Sequence, residues 1–180
     1  MAIPESTPQK SRLRKAMRQL LRDLPSDSAA SCDALHRWLL AHPGLHTIAT
    51  YSPLPGEVDL SAAIARHPHI RWLYPKVSGH HLTFHTGDDL RPGAFGILEP
   101  HHESPEFPLH EIDAILCPGL AFDKNGGRLG RGRGFYDRLL AQACPDTFKL
   151  GICFPEQVVP DTFSEVHDIH MDEVISSEPS

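Results

Sequence analysis

The sequence predicts an α/β fold, a mostly parallel central sheet with helices on both faces and an added hairpin. Three observations carry that expectation. Short apolar runs without helical period, each bounded by Gly, Pro or Asp, recur at residues 47–51, 70–74, 112–117 and 150–154. Helical spacing separates them at residues 60–66 and 135–144. A further run, 77–84, carries Ser78-Gly79 near its middle and reads as a hairpin.

Two helices precede the first strand. Thr7 can cap the first, Pro8 suits its opening turn, and Leu13, Met17, Leu20, Leu21 and Leu24 keep helical spacing until Pro25 stops it. Lys10, Arg14 and Arg18 then fall one turn apart on a common side. The second helix spans roughly residues 27–41 and ends at Pro43-Gly44. Strand 47–51 runs into Tyr51-Ser52-Pro53-Leu54-Pro55-Gly56-Glu57, a proline-stiffened turn with one carboxylate. Ligands of open α/β sheets bind beyond the carboxyl ends of strands, so this turn is either a recognition loop or an ordinary turn with an exposed Glu. A short strand around residues 173–175 closes the pattern. No repeat or low-complexity linker interrupts the 180 residues. The expectation is one Rossmann-like, three-layer domain over residues 1–180, with a mobile start at 1–6.

The charge balance, 17 Lys+Arg against 23 Asp+Glu for a net of −6, argues against a general nucleic-acid or membrane surface. The average conceals a segregation. Residues 10–22 and 124–138 hold 11 of the 17 cations and a single acid, Asp137. That pattern suits a small anionic ligand better than an extended polyanion. Cys32, Cys117, Cys144 and Cys153 match neither a paired metal spacing nor a dense disulfide framework, so a cytoplasmic location is expected. There is no run of 18 apolar residues and no apolar segment near Met1, which disfavours membrane spanning and secretion. The 13 histidines form no HExxH or Cys-His pattern and read as solvated loop residues.

Most of the chemistry lies in Gly126-Gly127-Arg128-Leu129-Gly130-Arg131-Gly132-Arg133-Gly134-Phe135-Tyr136-Asp137-Arg138. The alternating glycines let the backbone approach a ligand, a helix begins near Gly134, and the arginines offer forked donors to phosphate oxygens. No Gly-Lys-Ser/Thr follows, which excludes a Walker loop, and the glycines lie too far beyond the preceding strand for a dinucleotide fingerprint. The segment reads as a phosphate cradle, with a flexible loop of solvated arginines as the alternative. Asp137 could neutralise the arginines, cap a helix or hold Mg²⁺ beside phosphates. A second carboxylate could come from Asp168 or Asp172, and spacing leaves that choice open.

Cys117-Pro118-Gly119-Leu120-Ala121-Phe122-Asp123, followed by Arg128 through Arg138, resembles the signature of the 5-formyltetrahydrofolate cyclo-ligase family. Lys10 with Leu13-Arg14, Glu57-Val58-Asp59, Tyr74-Pro75-Lys76-Val77, Gly96-Ile97-Leu98-Glu99-Pro100 and His167-Asp168-Ile169-His170-Met171-Asp172-Glu173-Val174 extend the resemblance along nearly the whole chain. The resemblance implies an ATP- and Mg²⁺-dependent ring closure of 5-formyltetrahydrofolate to 5,10-methenyltetrahydrofolate through a phosphorylated formyl oxygen, releasing ADP and phosphate. It assigns Lys10, Arg14, Arg128, Leu129, Gly130, Arg131, Gly132, Arg133, Gly134, Phe135 and Tyr136 to ATP, with Arg131, Arg133 and Tyr136 catalytic. Arg131, Gly132, Arg133, Gly134 and Phe135 would also border the folate, together with Ser52 and Glu57. Asp137 and Asp168 would be the Mg²⁺ ligands. Phe135 stands where the family usually has a second tyrosine, so a hydroxyl is lost there while an aromatic face is kept. The other cations of the two basic windows, Arg18 among them, are expected to be solvated or structural. The implied partners are a reduced folate and ATP, with no nucleic acid or membrane, acting on a monomer. Competing readings are a relative with the same ATP site and another substrate, or a non-catalytic nucleotide- or RNA-binding protein.

Overall fold

A computed structural model describes residues 7–24, 27–93 and 97–177. The expected mobile residues 1–6, the Pro25 stop and Gly96 lie outside that range. Helix α1 is Pro8–Asp23, and the Thr7 hydroxyl accepts from the Lys10 amide at 3.4 Å as its cap. Helix α2, Ala29–Ala41, starts later than its sequence pattern suggests, because the Asp27 carboxylate accepts from the Ala29 amide at 3.0 Å from outside the helix. There follow β1 (Thr47–Ala49), α3 (Ser61–Ala65), β2 (Arg71–Ser78), β3 (His81–Thr86), β4 (Leu90–Pro92), β5 (Leu98–Pro100) and β6 (Ala114–Cys117). The chain continues through β7 (Ala121–Phe122), β8 (Arg128–Leu129), α4 (Phe135–Leu140), β9 (Phe148–Ile152) and β10 (Glu173–Ile175).

Six strands form the main sheet in the order β10-β9-β6-β1-β2-β3. Every pairing from β10 to β2 is parallel, and only β3 runs antiparallel, along β2. Successive residues of the central strands point to opposite faces, which splits the core in two. Ile48, Leu116, Leu150 and Ile152 pack under Leu35, Trp38 and Leu39 of α2 and Ala63 of α3. Ala49, Leu73, Ile115 and Cys117 pack under Leu139 and Leu140 of α4. The expected three layers are therefore present, with one exception. Helix α1 buries Met17 and Leu21 against Leu120, Ala121 and Leu129 rather than against the sheet.

Several boundaries differ from the sequence pattern for local reasons. The expected strand 70–74 and the first arm of the expected hairpin 77–84 are one continuous strand, β2. Pro75 hides that continuity because proline normally breaks a ladder. Here the pairing of β2 with β1 ends at Leu73↔Ala49, so Pro75 removes no bond from it. Helix α4 stops at Leu140 rather than 144, where tighter turns return the Gln142 and Ala143 amides to Leu139 and Leu140. The small ladders β4–β5 and β7–β8 are additional.

The β7–β8 turn supports the glycine loop, and Asp123 organises it. One carboxylate oxygen accepts from the Asn125 and Gly127 amides at 2.9 and 3.0 Å; the other accepts from the Thr162 amide at 3.0 Å and its hydroxyl at 2.6 Å. Gly126 closes the turn at φ +82°, where a Cβ would lie 2.3 Å from the Met171 carbonyl. Burial alone would raise the Asp123 pKa, but the hydrogen bonds from Thr162, Gly127 and Asn125 outweigh it and hold the group below the usual carboxylate value. A depressed folded-state pKa contributes stability above the unfolded-state value and loses it as pH falls through the folded-state value. Asp123→Asn should accordingly cost about 2–4 kcal/mol at neutral pH. Urea unfolding at pH 7 and near pH 3.5 tests this: the gap from wild type should narrow in acid, and a pH-independent gap would contradict the ionised-acceptor role.

Candidate active site

From β1 the chain moves to β2 on one side, whereas β6, β9 and β10 lie on the other. The carboxyl ends of β1 and β6 therefore flank a topological switch, where an open α/β sheet leaves a crevice. A cavity of about 370 Å³ lies at this switch. Tyr51, Ser52, Leu54 and Glu57 line it after β1, and Pro118 and Gly119 after β6. Pro75, Val77 and Leu82 of the β2–β3 hairpin form an apolar wall, and Arg128 with residues 130–137 forms the opposite side.

Glu57 is buried, not exposed: its side chain is 5% accessible. The Tyr51 hydroxyl donates to the Val58 carbonyl at 3.0 Å and braces the turn. One Glu57 oxygen accepts from the Leu54 amide at 2.9 Å, and the other from Arg131 Nε at 2.8 Å. Arg131 Nη2 also donates to the Pro55 carbonyl at 3.1 Å, so the glycine loop is tied across the cleft to the β1 turn. Ser52 donates from its hydroxyl to the Leu98 carbonyl, which brings β5 to the rim.

The loop itself turns at Gly132, φ +99°, and Gly134, φ +65°, a left-handed conformation that suits glycine. Helix α1 holds its outer side, with Arg14 Nε donating to the Gly130 carbonyl at 3.0 Å and Arg18 Nη2 to the Arg131 carbonyl at 2.9 Å. Arg128 is buried and paired with Asp137, Nη2 to Oδ1 at 2.6 Å, while its Nη1 donates to the Pro118 carbonyl at 3.2 Å. The Arg128 Nε and the Tyr136 hydroxyl are both buried without a hydrogen-bond partner. Burial raises the Tyr136 pKa well above its ordinary value, so the hydroxyl stays protonated at neutral pH. Phe135 lines the cleft under the Arg138 guanidinium, whose carbon lies 5.4 Å from the ring centre, and Arg138 in turn donates to the Arg133 carbonyl at 3.1 Å. Burial also pushes the Cys117 thiol up to about 12, which leaves no thiolate behind the cleft.

Lys10 and Asp168 form a neighbouring cluster rather than part of the cavity wall. Lys10 is buried, with Nζ 2.5 Å from Asp168 and 3.2 Å from Glu165. Burial would raise the Asp168 pKa, but the Lys10 hydrogen bond and the Glu165 amide hold it down. Arg14 links the clusters, since it lies within the fields of Asp137, Asp168 and Glu165. Asp172 instead pairs with Lys149 at 3.0 Å, so the fold draws Asp168, not Asp172, toward this region.

Leu129 is turned into the core against α1 and contributes only backbone to the loop. Arg18, placed by its spacing on the side of α1 shared with Lys10 and Arg14 and expected to be solvated or structural, lines the cleft, as do Pro75, Val77 and Leu82, to which the sequence assigned no role. His101, His102 and Glu103 bring potential ligand atoms within 4.8 Å of one another, but none of them lines the cleft.

The acidic groups suit a hydrated divalent cation. Asp137 has one oxygen on Arg128 and the other without a hydrogen bond from a described residue, and Asp168 has one oxygen on Lys10 and the Glu165 amide. Each can offer an oxygen to Mg²⁺, which keeps most of its waters. The unpartnered Arg128 Nε and Tyr136 hydroxyl likewise suit phosphate oxygens.

A cleft at the switch of a parallel sheet, with an apolar wall, a buried carboxylate and a basic glycine loop, is the site of an α/β enzyme. Within that class the chain belongs to the 5-formyltetrahydrofolate cyclo-ligase family, whose model matches residues 6–177. It is 33% identical to the 5-formyltetrahydrofolate cyclo-ligase of Mycolicibacterium smegmatis over 93% of each chain. Identity to the enzyme of that name from Mycoplasma pneumoniae is 31%, over 78% of this chain and 79% of the relative. The solved structure of Aquifex aeolicus 5,10-methenyltetrahydrofolate synthetase superposes with a TM-score of 0.81 at 30% identity, covering 94% of this chain and 90% of that one. The Mycoplasma pneumoniae synthetase gives 0.79 at 28% identity, covering 94% and 99%.

The Lys10 cluster makes a separate stability prediction. Lys10→Ala should cost about 3 kcal/mol at neutral pH by leaving Asp168 buried without its cation. It should also raise the Asp168 pKa. The depressed native value favours folding above the unfolded-state pKa, so the penalty should shrink as pH falls, which denaturant titrations at several pH values can follow.

Proposed function

We propose that this chain catalyses the ATP- and Mg²⁺-dependent cyclisation of 5-formyltetrahydrofolate to 5,10-methenyltetrahydrofolate, with release of ADP and phosphate. The observation that carries the reading is the meeting of the buried Glu57 side chain with Arg131 in a cleft that has an apolar wall on one side and the basic glycine loop on the other. A carboxylate there offers paired acceptors to the amidine-like edge of a pterin, and the apolar wall accommodates its ring. Arg131 reaches the same point from the phosphate-binding loop, which supports a common site for both substrates.

A formamide oxygen is a poor leaving group, and phosphorylation is the role of ATP in this reading. The formyl oxygen takes the terminal phosphoryl group as its bond to ADP breaks. N10 then attacks the formyl carbon and gives up its proton to solvent, the carbon–oxygen bond breaks and phosphate departs. Such transfer depends on orientation and charge stabilisation more than on a protein nucleophile. Arg131 and Arg133 supply cations at the cleft, Tyr136 a neutral hydroxyl donor, and Arg128, Lys10 and Arg14 hold the polyphosphate. Backbone of Leu129, Gly130, Gly132 and Gly134 borders it, with Phe135 and Ser52 on the folate side. Asp137 and Asp168 hold Mg²⁺, which neutralises phosphate charge when bound.

The reading has one catalytic domain acting as a monomer in the cytoplasm. Cys32, Cys117 and Cys153 are buried free thiols, which suits a reducing compartment. The burial of Lys10 between carboxylates favours a compact ligand over an RNA surface.

Purified protein with 5-formyltetrahydrofolate, ATP and Mg²⁺ should generate the near-ultraviolet absorbance of the methenyl product, and its absence would refute the activity. Asp137→Asn should lower turnover about a hundredfold or more while leaving the far-ultraviolet circular dichroism intact. Full Mg²⁺-dependent turnover in that variant would remove Asp137 from the metal site.

A further inference from the structure

Arg18 is the cation of α1 that faces the cleft directly. It lines the cavity with Glu57 and Arg131, and its Nη2 donates to the Arg131 carbonyl at 2.9 Å. Arg14, one turn earlier, makes the same kind of bond to the Gly130 carbonyl at 3.0 Å. Successive loop carbonyls are thus held by successive turns of one helix.

The two guanidinium groups repel one another, although Asp137, Asp168 and Glu165 lie close enough to Arg14 to offset part of that repulsion. Burial lowers the Arg14 pKa first, and the charge of Arg18 lowers it further. Like charges at i and i+4 destabilise a helix, and Arg18 makes no salt bridge with a described acid. One Arg18 contact is spent on the loop, and the rest of its forked donors remain at the cleft. An anion entering between α1 and the glycine loop would relieve the repulsion and use those donors.

We propose that Arg18 is a positioning residue of the site: it pins the Arg131 carbonyl and thereby sets the glycine loop, and with it the Arg131 guanidinium, for the terminal phosphate group. This rests on the phosphoryl-transfer reading above and adds to it a residue that the family resemblance did not assign. Arg18 acts through the backbone of Arg131 and contributes its charge where the basic face of α1 meets the folate cleft.

The test compares Arg18→Gln and Arg18→Lys with wild type by steady-state kinetics, calorimetric binding of a non-hydrolysable ATP analogue with Mg²⁺, and thermal unfolding. Loss of one charge-assisted contact should raise the KM for ATP and weaken analogue binding about tenfold in Arg18→Gln. The KM for 5-formyltetrahydrofolate should change far less, and the melting temperature should stay within about 2 °C because the side chain is exposed. Arg18→Lys should restore most of the loss, since one ammonium donor still reaches the carbonyl. Arg22→Gln, one turn further along and hydrogen-bonded to Gln19, serves as the control and should match wild type. Wild-type ATP constants in Arg18→Gln, or a defect that follows loss of fold, would overturn the proposal. A wild-type protein that makes no methenyl product would refute the underlying reaction instead, and the analogue-binding comparison would still decide the role of Arg18.

Discussion

The β1–β6 switch is the constraint from which the site follows. At this pair the chain's progress through the parallel sheet reverses, so no single connection can close over both carboxyl ends. The turn after β1 and the segment after β6 leave in different directions, and a crevice remains between them. The Tyr51–Glu57 turn lines that crevice on one side and Pro118, Gly119 and the glycine loop on the other, while the β2–β3 hairpin and Arg18 of α1 reach it from outside these two strands. The sheet itself needs little help to be stable there, because β1 and β6 are fully buried and pack on both faces. The rigid strands carry the loops, and the loops carry the chemistry.

Charge compensation is the second organising feature. The basic windows of the sequence do not form an open positive surface in the fold. Lys10 pairs with Asp168 and Glu165, Arg128 with Asp137, and Arg131 with Glu57. Lys10 of α1 and Arg131 of the glycine loop each meet an acid from a distant segment, Arg128 meets Asp137 of its own segment, and the side chains of Glu57, Lys10 and Arg128 are buried enough that separation would leave an expensive unpaired charge. Apart from Glu165, these groups are the ones assigned to ligands by the family resemblance. Binding would therefore exchange internal partners for ligand atoms of matching charge, limiting the desolvation cost of assembling the site.

Several features were legible because their causes are local. Thr7 and Pro8 specify the start of α1, apolar runs specify β1, β6 and β9, and the alternation of Gly with Arg specifies a loop able to approach an anion. The failures have equally local explanations. Pro75 disguised a continuous β2, since the absence of a neighbouring ladder bond at that point is not written in its own sequence. The β7–β8 ladder depends on Asp123 meeting Thr162, almost forty residues away in the chain.

By itself, the sequence determined the α/β class, the family resemblance and the residue types of the glycine loop, because periodicity, turn chemistry and an ordered motif are properties of short segments. Only the tertiary structure decided which charges meet. Spacing left Asp168 and Asp172 equivalent, and the fold separated them by giving one to Lys10 and the other to Lys149. It also buried the Glu57 side chain rather than leaving it on an exposed bend, and brought Arg18 to the cleft beside Arg14 on the glycine loop. Burial and ion pairing depend on what packs opposite a residue, and in a sheet with a reversed strand order that partner comes from distant parts of the chain.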